Sequence, residues 1–286
     1  MSNNTASDRF YFSSKTLSFV NQYIGSTFVI KYGGSVMQND SLQIEVIKDI
    51  ALLYLLGIKI VLVHGGGLFI NDWLYKLNIQ PKFQNGVRVT DPDTMEIVEM
   101  VLAGKINKSI VSLFNQNNIL SLGISGKDAN LIKASSLSNL SSNLTGKIES
   151  INTLVLELLL SNKFLPVIAS VASDSDGNTY NINADTAASS IASALKANKL
   201  ILLTDTPGIL YDVRDPSSLI HHLNFSVIKE LYSKNLILDG MIPKVESCIS
   251  ALNGNVKTTH IIDGREKHSL LYEVLTDKRV GSMITL

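Results

Sequence analysis

The sequence predicts an α/β fold built on a parallel sheet, and three observations carry that reading. Two short apolar runs, Phe28-Val29-Ile30 and Ile60-Val61-Leu62-Val63, lead directly into glycines, at Gly33-Gly34 and at Gly65-Gly66-Gly67. Between them Leu42, Ile44, Ile47, Ile50, Ala51 and Tyr54 recur at helical spacing, and Gly57 supplies a stop. Strand, loop, helix, strand, loop is the grammar of a βαβ unit, which joins parallel strands. The second half repeats the alternation, with helices over residues 154–160, 184–195 and 242–252 and strands over 165–170, 200–203 and 256–262.

The other elements follow from local chemistry. Residues 12–23 form an amphipathic stretch ahead of the first strand, with Leu17, Val20 and Ile24 spaced for one apolar face. Residues 81–88 turn polar and predict a short excursion over the sheet edge. Thr90 or Asp91 with Pro92 marks a helix start, and that helix is expected to run to about Ala103. Residues 135–142 read as a Ser/Asn/Leu loop, and Gly146 is expected to end a hairpin, with the lobe boundary shortly after. The expected organisation is an N-terminal helix over 1–25, a first lobe over 26–165 and a second over 166–286.

Composition excludes several function classes. Of 286 residues, 45% are hydrophobic and 17% charged, a balance that supports a sizeable core and argues against persistent disorder. The formal net charge is +0 and no block of like charges occurs, so the footprint of a nucleic-acid or anionic-membrane binder is missing. Any anion must be captured locally. The single cysteine, Cys248, cannot form an internal disulfide, and no Cys/His grouping has zinc spacing, which favours a reducing compartment. The apolar runs are too short to span a bilayer. Residues 1–8 are polar, and the segment after them has neither a basic start nor a continuous apolar core. Neither a secretory signal nor a transit peptide is therefore expected, and the mature chain is expected to begin near Met1.

Four motifs carry chemistry. Lys31-Tyr32-Gly33-Gly34-Ser35 follows a strand, where amides next to glycine can approach a phosphate and Lys31 adds charge; alone it also reads as an ordinary βα turn with a surface lysine. His64-Gly65-Gly66-Gly67 repeats the arrangement, so both loops should meet at the carboxyl edge of the sheet, where ligands bind in such folds. His64 is expected to be packed or hydrogen-bonded, not a metal ligand. Neither loop is a P-loop, because Gly126-Lys127 is followed by Asp128, and dinucleotide-binding and protein-kinase signatures are absent. Asn181-Ile182-Asn183-Ala184-Asp185 places polar residues on one face at a helix start, which suits either a substrate contact or helix capping. Gly240-Met241-Ile242-Pro243-Lys244 sets a lysine at another helix start, where the macrodipole disfavours an ammonium unless an anion is near.

These motifs, with Asn85-Gly86-Val87-Arg88-Val89-Thr90, Ala103-Gly104-Lys105-Ile106-Asn107-Lys108, Ser125-Gly126-Lys127-Asp128 and the run from Leu203-Thr204-Asp205 through Pro207-Gly208-Ile209-Leu210, resemble the amino acid kinase family. Within it they resemble the members that phosphorylate N-acetyl-L-glutamate, in order from about Leu17 to the C-terminus. The resemblance implies a three-layer αβα sandwich around a mainly parallel central sheet, with an added N-terminal helix. It implies transfer of the ATP γ-phosphoryl group to the side-chain carboxylate of N-acetyl-L-glutamate, in arginine synthesis, with Mg2+ bridging the nucleotide phosphates. Lys31 and Lys244 would stabilise the moving phosphoryl group, Asp185 would hold both lysines, and amides such as Gly34 would act as donors. Gly66, Gly67, Arg88, Asn181 and Asn183 match acceptor-binding positions, Arg88 as a clamp on the α-carboxylate. The nucleotide is assigned to Lys31, Thr204, Asp205, Gly208, Leu210 and Lys244, and no protein residue is expected to ligate a metal.

Arginine-inhibited members carry such an N-terminal helix and use it to join dimers into hexamers, which implies a trimer of dimers here. Tyr23, His260, Glu273 and Gly281 resemble their inhibitor site, so arginine is expected as a feedback inhibitor. Ser170-Val171-Ala172-Ser173 is less glycine-rich than the family pattern. The abundance of Asn, Ser, Ile and Lys suggests an AT-rich genome, hence bacterial cytoplasm or a plastid stroma, and in a photosynthetic lineage a PII signalling protein as partner. The competing readings are an aspartate, glutamate, carbamate or uridylate kinase of the same family, against which Arg88 argues, and a catalytically silent arginine sensor, against which Lys31, Asp185 and Lys244 together argue.

Overall fold

The computed structural model describes residues 14–84, 87–137 and 142–286. Residues 12 and 13 of the expected N-terminal helix, Asn85 and Gly86, and residues 138–141 of the Ser/Asn loop lie outside the described residues. The two apolar runs that end in glycine become β1 (Thr27–Tyr32) and β2 (Lys59–His64), joined by α2 (Asp40–Leu55) and paired in parallel from Thr27↔Lys59 to Tyr32↔His64. Asn39 starts α2 by accepting from the amides of Ser41 and Leu42. Then come α3 (Gly67–Lys76), the hairpin of β3 (Lys82–Gln84) and β4 (Val87–Val89), and α4 (Pro92–Glu99), opened by the Asp91 cap and by proline in its first turn.

The helix expected to stop near Ala103 does not stop. It widens into a π-helical segment, Met100–Ile106, and continues as α5 (Asn107–Gln116). Gly104 has open space around it and lacks the left-handed conformation that ends helices, so it lowers helix propensity without acting as a stop. Next are β5 (Ser121–Ser125), β6 (Ile132–Ser136) and β7 (Gly146–Ile151). Gly146 opens β7 and pairs with Ser136; it does not end the hairpin. A Cβ there would stand 2.7 Å from both Ile182 and Tyr180, so glycine serves close packing at this point and not a turn.

The second half supplies α6 (Leu154–Ser161), β8 (Leu165–Ala169), β9 (Val171–Ser173), β10 (Thr179–Asn181), α7 (Ala184–Ala194) and β11 (Lys199–Thr204). It closes with β12 (His222–Leu223), α8 (Phe225–Ser233), α9 (Ile242–Asn253), β13 (Thr258–Asp263), α10 (Ser269–Leu275) and β14 (Ser282–Ile284). The central sheet has the order β12-β14-β13-β11-β1-β2-β8-β5. From β13 to β5 its strands are parallel, while β14 runs antiparallel to β13 and parallel to β12, which reverses one edge. A smaller sheet, β10-β9-β6-β7, stands beside it.

Two cores enclose the central sheet, and the alternation along each strand shows it. Phe28, Ile30, Ile60, Leu62, Ile201 and Leu203 point into a core shared with α2, α3, α4, α5 and α10. Val29, Val61, Val63, Leu200 and Leu202 point into one shared with α6, α7, α8 and α9. Strands buried on both faces read as continuous apolar runs, which is why they are legible in the sequence. The outcome is the three-layer αβα arrangement. The boundary expected at residue 165 falls where β8 begins, yet β8 pairs with β2 and β5, and β9 with β6. In the central sheet β8 thus fills the gap between β2 and β5.

The N-terminal helix, α1 (Ser14–Tyr23), precedes β1 as expected. Its buried stripe is Thr16, Phe19, Val20 and Tyr23, one face at i, i+3, i+4 and i+7, while Leu17 is 58% and Ile24 57% exposed. The single apolar face expected from Leu17, Val20 and Ile24 is thus divided, because the aromatic side chains and Thr16 take the inner side.

Candidate active site

The chain leaves β1 toward β2 on one side and, much later, places β11 on the other, so the carboxyl ends of these three strands frame the crevice where α/β sheets bind ligands. Lys31 and Gly33-Gly34 come from β1, His64 to Gly67 from β2, and Thr204 to Leu210 from β11. Gly34 has φ +79, a left-handed conformation that favours glycine. Gly66 is required for space: a Cβ there would lie 2.3 Å from Ile106 and 2.7 Å from Leu102, both in the π-helical segment.

Asn183 caps α7 by accepting from the amides of Asp185 and Thr186, so the capping expected for this motif belongs to Asn183. Asp185 does something else. Its Oδ2 accepts from Lys244 Nζ at 2.9 Å, and Lys31 Nζ stands 3.1 Å from its Oδ1, an ion pair and not an aligned hydrogen bond. Burial would raise this carboxyl, but the two ammonium groups outweigh it and hold it at about 2. Lys244 thus meets its anion at an unfavourable helix start.

A cavity of about 230 Å³ lies over this cluster, and Lys31, Gly34, Gly66, Gly67, Arg88, Asn181, Asn183 and Asp185 all line it. Arg88 Nη2 donates to Asn71 Oδ1 at 2.6 Å and to the Gly67 carbonyl at 3.2 Å, and the guanidinium lies 4.8 Å from the Phe83 ring centroid. Nη1 is buried with no hydrogen-bond partner, which is uncommon for a buried donor. Asn181 Nδ2 donates to Thr90 Oγ1, and Thr145 Oγ1 to the Arg88 carbonyl, tying β4 to the second sheet.

A second cavity, of about 490 Å³, is lined by Asp205, Gly208, Leu210, Val213, Leu238, Met241 and Lys244. Lys244 faces it, Lys31 the first, and Asp185 joins the two lysines. Thr204 is buried with its hydroxyl against Thr206 and lines neither cavity. Among the described residues no three His, Cys, Asp or Glu side chains gather as a metal site.

The residues of the expected inhibitor site also cluster. His260 and Glu273, both fully buried, meet at 2.8 Å, and Glu273 Oε2 accepts from the amides of Val280 and Gly281. Burial pulls His260 down to about 4, so neutral His260 donates from Nδ1 to Glu273 and accepts from Lys199 at Nε2. Lys199 stands 5.0 Å from the Tyr23 ring centroid, and burial lowers it to about 8. Arg279 donates to the Glu273 carbonyl at 3.0 Å. Lys199 and Arg279 belong to this cluster too, although no sequence motif points to either.

The model of the amino acid kinase family matches residues 26–263, a span that holds both cavities. The chain belongs to that family. A relative called acetylglutamate kinase from Gracilaria tenuistipitata var. liui is 56% identical over 280 residues, covering 98% of each chain. One of the same name from Thermosynechococcus vestitus is 50% identical, covering 97% of this chain and 94% of its own. Among solved structures, N-acetylglutamate synthase from Neisseria gonorrhoeae, complexed with coenzyme A and N-acetyl-glutamate, superposes with a TM-score of 0.84 at 24% identity. That match covers 95% of this chain and 62% of the longer synthase, and it shows a shared fold.

For this member of the amino acid kinase family, sequence reading misses the residues that hold the others in place. Asn71 supports Arg88. Asn107, fully buried, donates to the Val167 carbonyl at 2.9 Å and meets His64 Nε2 at 3.2 Å, fixing His64 as packed. Burial brings His64 down to about 4, so it is neutral, and Nδ1 donates to the Gly65 carbonyl. Asn71 stands in no motif, and Asn107, though within the Ala103-Gly104-Lys105-Ile106-Asn107-Lys108 motif, carries no sign there of this positioning role.

Proposed function

We propose that the chain transfers the γ-phosphoryl group of ATP to the side-chain carboxylate of N-acetyl-L-glutamate, giving N-acetyl-L-glutamyl 5-phosphate for arginine biosynthesis. The observation that carries this reading is one buried carboxylate, Asp185, shared by Lys31 and Lys244 where two cavities adjoin. Relatives named acetylglutamate kinase at 56% and 50% identity over nearly the whole chain support the acceptor.

The chemistry needs no general base. The acceptor is a carboxylate, already without a proton at neutral pH; one of its oxygens bonds to the γ-phosphorus as the bond to the bridging oxygen breaks, and ADP leaves with that oxygen's charge. Asp185, held at about 2, is a poor base and a good anchor. Lys31 from the acceptor side and Lys244 from the nucleotide side offset charge on the moving oxygens, and the Gly34 and Gly66 amides are the neutral donors. Arg88 takes the α-carboxylate through its free nitrogen. Gly67, Asn181 and Asn183 complete the acceptor cavity.

ATP occupies the second cavity, where Gly208, Leu210, Val213, Leu238 and Met241 suit a base, and Asp205 lies beside Gly34. Magnesium would be held mainly by the nucleotide's phosphate oxygens and would supply further positive charge there, since no three carboxylate, His or Cys side chains gather as a metal site among the described residues. The cluster of Tyr23, Lys199, His260, Glu273 and Gly281 is the arginine site of feedback inhibition, with α1 joining dimers into a hexamer. Relatives from red algae and cyanobacteria favour a plastid or bacterial cytoplasm and keep PII as a candidate partner. No helix among the described residues is long and apolar enough to cross a membrane.

The test is hydroxamate formation from Mg-ATP, N-acetyl-L-glutamate and hydroxylamine, with free glutamate, aspartate and carbamate as parallel acceptors. Selective product from acetylglutamate, lost in Lys31→Ala, is expected. Turnover of another acceptor would reassign the substrate; arginine binding without any turnover would favour a sensor.

A further inference from the structure

We infer that Asn71, which lines neither cavity, is the positioning residue that aims the Arg88 guanidinium at the acceptor's α-carboxylate; this rests on the acceptor reading above. Asn71 and Gly67 are i+4 and i on α3, so the Asn71 side-chain carbonyl and the Gly67 main-chain carbonyl lie on one helix face. Both converge on Arg88 Nη2, at 2.6 and 3.2 Å. The ring of Phe83 supports the plane of the guanidinium. With one nitrogen fixed and the plane set, the rigid fork leaves Nη1 in a single direction, buried and without a partner, in a residue that lines the acceptor cavity.

The supports are all neutral: an amide oxygen, a carbonyl oxygen and a ring face. They orient the cation without neutralising it, so its charge remains for the incoming carboxylate. A fork held this way loses little rotamer entropy on binding, which lowers the acceptor KM and does nothing for the reacting centre at the other end of the molecule. A purely structural role predicts otherwise. Asn71 is partly exposed on a helix where alanine is favourable, so Asn71→Ala should fold.

The experiment measures steady-state constants of wild type, Asn71→Ala and Asn71→Asp, with N-acetyl-L-glutamate and with the analogue whose α-carboxylate is an amide. Asn71→Ala is expected to raise the acetylglutamate KM about tenfold, with kcat and the ATP KM within about twofold, and to shrink the preference over the amide by a similar factor. Asn71→Asp keeps an acceptor oxygen but sets an anion against the guanidinium, so it restores the aim while offsetting the charge and should leave the acetylglutamate KM well above that of the wild type. An unchanged KM in Asn71→Ala, an equal rise in both KM values, or a wild-type KM in Asn71→Asp would each overturn the inference. Failure of the wild type to use acetylglutamate would overturn the acceptor reading and this inference with it, an outcome distinct from a variant effect.

Discussion

At Asp185 burial and charge oppose each other. Burial favours the protonated carboxyl, whereas Lys31 and Lys244 favour the anion strongly enough to hold it at about 2. Its folded value lies below the ordinary carboxylate value, so its contribution to stability is full above about pH 4 and is lost only as pH falls toward 2. Asp185 therefore titrates outside the working range, and a kcat profile between pH 5 and 9 is expected to carry no limb from it. Asp185→Asn keeps the shape and removes the charge, leaving two ammonium groups in a buried site. A fall in kcat of about 10²–10³-fold is expected in turnover assays, with a loss of about 3–5 kcal/mol in urea denaturation. Lys31, Asp185 and Lys244 are legible in the sequence because each stands beside a glycine loop or at a helix start where its type is conspicuous. The roles of Asn71 and Asn107 are not, even though Asn107 stands in a family motif, since those roles depend on which distant backbone or side chain each meets.

Among elements, the π-helical segment between α4 and α5 shapes the first cavity, because it brings Leu102 and Ile106 against Gly66. At Gly66 space opposes a side chain, because a Cβ would stand 2.3 Å from Ile106 and 2.7 Å from Leu102. Gly66→Ala must move the segment or the loop: it is expected to cost about 1–3 kcal/mol in thermal or denaturant unfolding and to lower kcat/KM for acetylglutamate about tenfold or more by displacing the Gly66 amide. Unfolding and activity both at wild-type values would mean that the loop has slack. The strands flanking the site are readable as uninterrupted apolar runs, and α2 as a helix from its periodicity. Sheet order is not readable: β11 lies beside β1 although some 170 residues separate them, and β8 fills the gap between β2 and β5. Local pattern reports a segment's period and says nothing of its neighbour. The π-helical continuation, with no stop residue to mark it, escapes notice for the same reason.

For the whole molecule the open question is what α1 does beyond packing. Its inner stripe is satisfied: Val20 and Thr16 are buried, Tyr23 meets Phe28 edge to face at 5.3 Å, and Lys15 pairs with Asp277 just past α10. That stripe suffices to dock the helix, so Leu17, 58% exposed on the outer side, is not needed for folding. Leu17→Glu should therefore change monomer stability by no more than about 0.5 kcal/mol, yet it would place a charge in any contact between two such helices, where desolvating it is costly. The expected result, by sedimentation, is a fall from a six-chain to a two-chain mass with arginine-free kinase activity kept. Arginine inhibition should weaken in step, because Tyr23 at the end of α1 stands over Lys199, which is bonded to His260, so the helix proposed to join dimers also borders the proposed arginine cluster. Should Leu17→Glu keep both the six-chain mass and the arginine response, α1 would be a packing element of the single chain, and the direct route from the arginine cluster toward the second cavity would be β11, which runs from Lys199 to Thr204, next to the cavity-lining Asp205.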